Sequence, residues 1–313
     1  MLFIDQDTVN QVLPPAQAVE AIRQALIKGY DPAQDFQRQA YNIPGGQFLV
    51  MPSTTDTATG VKVLTVNHHN VNHEVERIQG NYLLFQGGSL SPVAVIDGAA
   101  LTSLRTPAVS LSAIAPLLTN SVAPLQVLIF GTGPQGQWHE KVVRDLCDNK
   151  RDVSVTYVSR NRPDFLPEEA LEDSTRQWVQ AGSDSAGREL GRADVILCCT
   201  TASEPLFTQA DVREDVMVVA VGSHTPDARE LDADFLANGQ VIVEDLETAR
   251  REAGDVIQAV AQGALSYEDL ILLKDLVTGR VTPKRTAPII FKTTGMGWED
   301  LVLAEEIYRL TRS

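Results

Sequence analysis

Cysteine is scarce in this sequence, and the spacings that bind metal ions are missing. The 313 residues include three cysteines. Cys147, Cys198 and Cys199 lack the spacing of metal ligands, and the adjacent pair lies in an apolar run. We therefore expect buried, reduced thiols and no metal site.

Basic residues are also in deficit. Lysine and arginine together number 26 against 41 aspartates and glutamates, which gives a net charge of −15. Such a surface repels phosphate backbones and anionic lipid headgroups. Nucleic acid and membrane surfaces are therefore excluded as expected partners.

Long apolar runs are missing too. None approaches the roughly 18 residues that a membrane-spanning helix needs. The opening, "MLFIDQDTVNQVLP", has acidic residues within its first ten positions, unlike a secretory signal. The sequence therefore predicts a cytoplasmic protein.

The length of the chain allows two domains. With 43% hydrophobic residues, it fits two units of about 100 to 200 residues each. A helical pattern, "PPAQAVEAIRQALIKGY", precedes four β-rich runs that favour an antiparallel sheet: "QFLVM", "GVKVLTV", "NYLLF" and "SPVAVID". Another helix follows in "ALTSLRTPAVSLSAIAPLL", where Pro107 marks either its first turn or a kink.

The middle of the chain alternates between strands and helices. A helix is predicted at 136–147, with strands at 126–130, 153–158, 194–200, 216–221 and 240–243. This order predicts a doubly wound parallel sheet of the α/β class. The last segment, "APIIFKTTGMGWEDLVLAEEIYRLTRS", predicts a strand, a glycine turn and an amphipathic helix that can pack back on the first domain.

The stretch "VLIFGTGPQGQWHEKVV" joins a strand to a helix through a turn with three glycines. Gly131 allows the chain to turn out of the strand, and Gly133 lets the backbone approach a pyrophosphate. Gly136 lets the helix and strand pack closely. Because the amides at the helix N-terminus then point at the phosphates, the turn predicts a dinucleotide site.

The end of the second strand of this region indicates which dinucleotide is favoured. An NAD-selective site usually has an acidic residue there, which binds the ribose 2′-hydroxyl. In "VTYVSRNRPDF" that place is taken by Ser159, Arg160 and Arg162, a set that suits a 2′-phosphate. We expect NADP(H) to be favoured over NAD(H), although two arginines in a loop also fit a solvated turn.

Three basic residues are candidates for holding a small acidic substrate. Arg38 lies in "FQRQAYNIP" and Arg105 in "LTSLRTPAVS". An arginine fork matches a carboxylate, although a surface ion pair is the ordinary role of a single arginine. Lys62 alternates with valines in "GVKVLTV", so it faces either solvent or a cavity, where it could transfer a proton.

Six segments, in order and over most of the chain, resemble the ornithine cyclodeaminase/μ-crystallin family. They are "GVKVLTV", "DGAALTSLRTPAVS", "IFGTGPQG", "ADVILCCTTASEPLF", "VGSHTPDARELD" and "FKTTGMGWEDL". The resemblance implies a Rossmann domain, at residues 119–289. It also implies an α+β domain for substrate binding and dimerisation, built from both chain ends (1–118 and 290–313), and hence a homodimer.

The resemblance implies nicotinamide-linked redox chemistry on amino or imino acids. Ornithine cyclodeaminase, alanine dehydrogenase and ketimine reductase are activities of the family. Arg38, Lys62 and Arg105 match positions that handle the substrate carboxylate. The positions carried over to the cofactor site are Arg105, Thr106, Gly131, Thr132, Gly133, Pro134, Gln135, Ser159, Arg160, Arg162, Thr200, Thr201, Val221 and Gly222. Gly136 stands where the family commonly has alanine.

The segment "VGSHTPDARELD" departs from the cyclodeaminase pattern. Cyclodeaminases have an aspartate that acts on the substrate amine where this chain has His224, and Asp227 follows three residues later. A histidine near neutral pH can instead donate a proton. The predicted catalytic residues are Lys62, His224 and Asp227, although His224 can also cap a turn or contact the cofactor.

The sequence favours NADPH-dependent reduction of a cyclic ketimine carboxylate, of the Δ1-pyrroline-2-carboxylate type, to an L-imino acid such as proline. Ornithine cyclodeaminase and an alanine-type dehydrogenase are the alternatives among enzymes, and an NADPH-dependent ligand-binding protein is the alternative outside them. The loop "NHHNVNHEVER" contains His68, His69 and His73, whose spacing does not predict a metal site. By resemblance this loop lies near the substrate and can shape specificity.

Overall fold

The structure, a computed structural model, describes residues 1–67, 70, 76–166 and 175–312. His68, His69 and His73 of the predicted specificity loop lie outside the described residues. The chain forms two compact units, which we call the first unit (residues 1–109 and 295–313) and the second unit (residues 110–294). The predicted domain limits lie within ten residues of these boundaries.

The secondary structure elements are numbered along the chain. The strands are β1 (Leu2–Ile4), β2 (Gln39–Ile43), β3 (Gly46–Thr54), β4 (Ala58–Asn67), β5 (Ile78–Gln86), β6 (Pro92–Asp97), β7 (Leu125–Phe130), β8 (Val153–Ser159), β9 (Arg176–Gln180), β10 (Val195–Cys198), β11 (Met217–Ala220), β12 (Gln240–Val243), β13 (Ile271–Leu272) and β14 (Ile289–Lys292). The helices are α1 (Gln6–Val12), α2 (Pro15–Ile27), α3 (Gly98–Ser112), α4 (Ala115–Thr119), α5 (Pro134–Cys147), α6 (Asp184–Leu190), α7 (Ala233–Ala237), α8 (Leu246–Glu252), α9 (Gly254–Ala261), α10 (Leu273–Val277) and α11 (Gly297–Thr311).

The first unit contains a sheet with the strand order β1-β6-β5-β4-β3-β2. The pairs from β2 to β6 are antiparallel, as predicted, whereas β1 pairs in parallel with β6. The sequence pattern does not predict β1 or β2. β1 is only three residues long, and β2 is exposed along its whole length, so neither shows the alternation of a half-buried strand.

The two faces of this sheet differ in burial. Along β4, Gly60, Lys62 and Leu64 are buried, whereas Val61 and Val63 are partly exposed. The helix α11 packs on the sheet and on α2. Because side chains alternate along a strand, Lys62 lies on the buried face of the sheet.

The second unit contains a sheet with the order β13-β12-β14-β11-β10-β7-β8-β9, and every pair in it is parallel. The prediction of a doubly wound α/β sheet is confirmed. From β7 the chain runs outward through β8 and β9, and then returns to β10 on the other side of β7. Sheets of this kind bind ligands at the carboxyl ends of the strands where the order reverses, which here is between β7 and β10.

Two strands differ from the predictions made from the sequence, and the structure also shows where Pro107 lies. The pattern does not predict β9, whose five residues are mostly exposed. The strand β14 pairs with β11 and β12 of the second unit, so the return to the first unit begins after it, at residue 295. Pro107 lies inside α3.

Among the described residues, no helix combines the length and the apolar character needed to cross a lipid bilayer.

Candidate active site

Lys62 forms a buried ion pair in the first unit. Its side chain is fully buried, and its Nζ lies 2.8 Å from Oδ1 and 2.7 Å from Oδ2 of Asp300. Asp300 lies in the first turn of α11, 238 positions further along the chain. The alternation of β4 thus places Lys62 among charged partners rather than in solvent.

Arg105 joins the same cluster from α3. Its Nη1 donates to Oε2 of Glu299 at 2.8 Å, and its Nε lies 3.5 Å from Oδ1 of Asp300. Gly295 packs against the guanidinium group, so any side chain there would overlap it, and its φ of +83° also favours glycine. We call Lys62, Arg105, Glu299 and Asp300 the four-charge cluster.

The four-charge cluster sets the protonation of its lysine. Burial and the nearby Arg105 guanidinium lower the pKa of Lys62 to about 8, and Asp300 opposes this shift. The pKa of Lys62 is therefore close enough to neutral pH for the side chain to exchange a proton. The cluster combines a guanidinium that can hold a carboxylate with an ammonium that can give up a proton.

Glu299 and Asp300 are not recognisable as site residues from the sequence pattern. Both follow a glycine turn in "GMGWEDL", and acidic residues are ordinary in the first turn of a helix because they complement its dipole. The one available signal is that they belong to a motif of the family resemblance. The sequence alone does not show that α11 packs against β4.

Contacts around Trp298 fix the start of α11. Its backbone N donates to Oδ2 of Asp35 at 2.8 Å, and its ring stacks on Tyr30 with centroids 5.3 Å apart. Arg38 lies three residues after Asp35, half-buried, and just before β2. Arg38 thus belongs to the first unit, as do Lys62 and Arg105, and its role in binding substrate stays a prediction.

The glycine turn of the second unit has the shape that the sequence predicts. Gly131 has a φ of +99°, and a side chain there would overlap the carbonyl oxygen of Cys199. A side chain at Gly136 would overlap the carbonyl oxygen of Gly131, so this turn favours glycine at position 136. Gly133, directly before α5, has nothing within 4 Å of an added Cβ.

This turn fits a dinucleotide. It leaves open space at Gly133, and Thr132, Pro134 and Gln135 lie in the turn and at the start of α5, where backbone amides lack helical partners. The turn also follows β7, at the point where the strand order reverses. The residues present are therefore compatible with a pyrophosphate at this site.

The segment after β8 contains the residues predicted to read the adenosine ribose. Ser159 donates to the carbonyl oxygen of Asn161 at 2.6 Å and accepts from Nε1 of Trp178 at 2.9 Å. The guanidinium of Arg162 lies over the Trp178 ring, 5.1 Å from its centroid, while Arg160 is exposed. Trp178 of β9 thus holds both Ser159 and Arg162, a role that the sequence does not indicate.

The remaining predicted cofactor residues follow β10 and β11, apart from Thr106. Thr200 and Thr201 come after β10, and Val221 and Gly222 come directly after β11. Thr106 is buried in α3, next to Arg105. The cofactor contacts of all these residues stay predictions.

His224 and Asp227 lie in the loop that follows β11 in the second unit. Both are exposed, and Nδ1 of His224 lies 3.4 Å from the carbonyl oxygen of Gly222. A hydrogen bond from the Thr225 side chain lowers the pKa of Asp227. Neither residue is in a buried cluster, and their catalytic roles stay predictions.

A second buried cluster contacts this loop through Ser223. It consists of Glu230, Asp255 and Lys292. Nζ of Lys292 donates to the carbonyl oxygen of Ser223 at 2.6 Å and lies 3.2 Å from Oδ2 of Asp255. All three charged side chains are buried. The sequence shows Lys292 only as the last residue of an apolar strand, so its pairing with Asp255 could not be foreseen.

The described part of the chain contains no group of three or more histidine, cysteine, aspartate or glutamate side chains able to hold a metal ion. Its cysteines are free thiols; Cys147 and Cys198 are buried, and Cys199 is half-buried.

Comparisons with known proteins place this chain among relatives over almost its whole length. The profile described as "Ornithine cyclodeaminase/mu-crystallin family" matches residues 7–313. A Delta(1)-pyrroline-2-carboxylate reductase of Colwellia psychrerythraea is 26% identical, with 98% of each chain covered. The ketimine reductase mu-crystallin of Rattus norvegicus is 31% identical over 83% of this chain and 79% of its own.

One solved structure has the same fold over the entire chain. It is a Delta(1)-pyrroline-2-carboxylate reductase from Thermococcus litoralis, in complex with NADH and L-proline, with a TM-score of 0.85 at 22% identity. The alignment covers 100% of this chain and 98% of the other.

Proposed function

Because the chain belongs to the ornithine cyclodeaminase/mu-crystallin family, we propose that it is an NAD(P)H-dependent reductase of cyclic ketimine carboxylates. Its substrate is of the Δ1-pyrroline-2-carboxylate type, and its product is an L-imino acid such as proline. The observation that carries this proposal is the four-charge cluster, in which a buried guanidinium and a buried ammonium lie side by side. Relatives named as reductases of this type support the substrate class.

The cluster has the groups that reduction of a carbon–nitrogen double bond requires. A nicotinamide dinucleotide, when bound, would supply the hydride for the imine carbon, and the imine nitrogen must gain a proton. Arg105 holds the substrate carboxylate through its fork of donors. Lys62 supplies the proton, because a lysine with a pKa of about 8 is mostly protonated at pH 7 and still gives up its proton readily.

Asp300 and Glu299 keep both cations in place. Asp300 contacts Lys62 through both carboxylate oxygens, and Glu299 contacts Arg105. Since an isolated charge is costly to bury, these carboxylates stabilise the two cations before substrate arrives. The four formal charges sum to zero, and a bound carboxylate adds one negative charge.

We expect NADPH oxidation when the purified protein receives pyrroline-2-carboxylate or piperideine-2-carboxylate, because both present a carboxylate beside an imine. Loss of NADPH absorbance measures the reaction, and pyruvate with ammonia tests the dehydrogenase alternative. Ornithine with NAD⁺, assayed for proline and ammonia, tests the cyclodeaminase. If proline and ammonia form from ornithine and no other substrate reacts, the cyclodeaminase replaces our proposal. Inactivity with every substrate would favour a ligand-binding protein.

We also propose that NADP(H) is the preferred cofactor. Support comes from Arg160, which is exposed, and from Arg162, which stacks on Trp178 beside Ser159. Two guanidinium groups near the end of β8 suit the 2′-phosphate of NADPH. The same assay, run with NADH in place of NADPH, checks this preference, and equal affinity and turnover would contradict it.

A homodimer formed through the open face of the first unit completes the proposal. A row of apolar side chains crosses five strands on the face opposite Lys62: Phe3, Val95, Leu83, Val61 and Pro52. Phe3 is 73% exposed, and the other four are partly exposed. Because an apolar sheet face in water favours association, a second copy of the chain is its proposed partner.

Replacing Leu83 with aspartate is expected to convert the dimer to a monomer, because the new charge would be buried in the middle of this row. Sedimentation or light scattering measures the mass in solution. Gln17→Asp, on the exposed surface of α2, is the matched control and should leave the mass unchanged. A Leu83→Asp protein that keeps the wild-type mass would show that this face is not the interface.

A further inference from the structure

The buried carboxylate of Glu230 connects two turns of the second unit. The turns follow β10 and β11, neighbouring parallel strands in which Cys198 lies opposite Ala220. Oε1 of Glu230 accepts hydrogen bonds from the backbone N and the hydroxyl of Thr200, at 2.9 and 2.7 Å. Its Oε2 accepts from the backbone N of Gly222 at 2.7 Å. One side chain thus satisfies donors from both turns.

The two turns are in close contact, so the carboxylate has little freedom. A side chain at Gly222 would overlap the carbonyl oxygen of Thr200 and come within 2.5 Å of Oε1 of Glu230. Both turns lie at the carboxyl edge of the sheet, and β10 is one of the two strands between which the order reverses. They therefore border the crevice where this kind of sheet binds a dinucleotide.

Asp255 binds the backbone of Glu230. Oδ1 of Asp255 accepts from the backbone N of Glu230 at 2.7 Å and of Leu231 at 2.9 Å. The other oxygen, Oδ2, lies 3.2 Å from Nζ of Lys292 and accepts from the hydroxyl of Ser223. The backbone of Glu230 is thus anchored to α9 and β14, while its carboxylate reaches the two turns.

We propose that Glu230 is a positioning residue for the nicotinamide dinucleotide: its ionised carboxylate holds the Thr200 and Gly222 turns in the arrangement that binds the cofactor. This inference rests on the proposed use of NAD(P)H. An ionised carboxylate only accepts hydrogen bonds, and the two backbone N–H groups that face it, of Thr200 and Gly222, only donate. A protonated Glu230 carries an O–H on one of the oxygens that accept from these N–H groups and loses its negative charge, so protonation weakens the bridge.

The environment of Glu230 brings its titration into the neutral range. Burial raises its pKa to about 7, Lys292 and the Thr200 hydrogen bonds oppose this rise, and Asp255 adds to it. Burial also raises the pKa of Asp255, but Lys292 and the Ser223 hydrogen bond outweigh it and keep that pKa below its usual range. Asp255 therefore stays ionised while Glu230 titrates.

Two cysteines and a histidine near Glu230 stay neutral over the same range. Burial raises the pKa of Cys198 and of Cys199 well above 9, so both remain thiols. Burial lowers the pKa of His139, whose Nδ1 is 3.7 Å from the Cys199 sulfur, to about 4. The contribution of His224, which is exposed in the same loop, must be separated from that of Glu230.

The test is the affinity for NADH between pH 6 and pH 8, measured by cofactor fluorescence without any substrate. NADH is the probe because the 2′-phosphate of NADPH titrates near pH 6. Wild-type affinity is expected to fall up to about tenfold from pH 8 to pH 6, since binding favours the ionised form of a group with a pKa near 7. Glu230→Gln puts an amide N–H₂ against a backbone donor, so it should bind at least about tenfold more weakly at pH 8 and show no pH response.

Three variants make the outcome decisive. Glu244→Gln changes another buried carboxylate of the second unit, one that accepts from the backbone N of Thr294 at 2.9 Å, and should keep the wild-type pH response. His224→Asn should keep it as well. Glu230→Asp retains the charge and should retain the response with weaker binding, which covers the case in which Glu230→Gln does not fold.

The possible failures are distinguishable. If the wild-type protein binds neither NADH nor NADPH, the cofactor assignment and this inference are both overturned. If it binds, but Glu230→Gln matches it in affinity and pH response, only the inference is overturned. The inference also falls if the response disappears in His224→Asn and persists in Glu230→Gln.

Discussion

Replacing Arg105 with alanine is expected to lower kcat/KM for the cyclic imine by about 10³-fold, because the buried guanidinium that we propose binds the substrate carboxylate is lost. Arg105 is 7% exposed and donates to Glu299 at 2.8 Å. Most of the loss should appear in KM, since the carboxylate is bound in the ground state as well as in the transition state. Steady-state kinetics with a cyclic imine and saturating NADPH measure both parameters.

Stability must be separated from binding in this experiment, because the alanine variant leaves the Glu299 carboxylate buried beside a cavity. Such a loss costs about 3–5 kcal/mol of unfolding free energy. Arg105→Lys keeps the charge but loses the fork, so it should fold normally and still show a raised KM.

Arg144 provides the matched control for this loss. It pairs with the buried Glu140 at 2.6 Å within the second unit. Arg144→Ala should lower Tm, because it removes one cation from the buried Glu140, and should leave kcat/KM within about threefold of wild type, because Arg144 is not part of the four-charge cluster. Wild-type kinetics in Arg105→Lys and Arg105→Ala would remove Arg105 from the substrate site.

Replacing Lys62 with methionine is expected to lower kcat by about 10²- to 10⁴-fold, the contribution of a positioned proton donor. Methionine has nearly the length of lysine and suits a buried site, but it carries no proton to donate. The dinucleotide affinity should not change. A variant that keeps a tenth or more of the wild-type kcat at every pH would show that another group supplies the proton.

The pH profile identifies Lys62 more directly. As a donor, the lysine must be protonated, and its pKa in the free protein is about 8, so wild-type kcat/KM should decline as pH rises through that value. Asp300 opposes the lowering of this pKa. Asp300→Asn should therefore move the decline to lower pH. Glu299→Gln removes the partner of Arg105 instead and should leave the position of the decline closer to wild type.

The sequence predicts the parts of the molecule whose signals are local. The glycine turn after β7 is visible because its strand, its three glycines and its helix follow one another in a single stretch of sequence. Lys62 is identified as a candidate because alternation along β4 is a property of ten consecutive residues. The antiparallel pairs of the first sheet follow from short connections between successive strands.

The parts that the sequence does not predict depend on distant segments. The role of Asp300 is visible only from its contacts with Lys62 and Arg105, and Lys62 is 238 positions away along the chain. Glu230 and Lys292 are likewise defined by partners on other elements, since an acidic loop residue and a lysine at a strand end are common on protein surfaces. Burial reverses the ordinary interpretation of such residues, and burial is a property of the folded chain.

The position of α11 in the chain has a consequence for the order of synthesis. Lys62 and Arg105 are made early, whereas Glu299 and Asp300 belong to the last helix described. The second unit, being continuous, is complete while the sheet of the first unit still lacks the helix that covers it. On the ribosome, Lys62 and Arg105 are therefore synthesised well before Glu299 and Asp300, with the whole second unit between them. The first unit starts before the second unit and is completed after it.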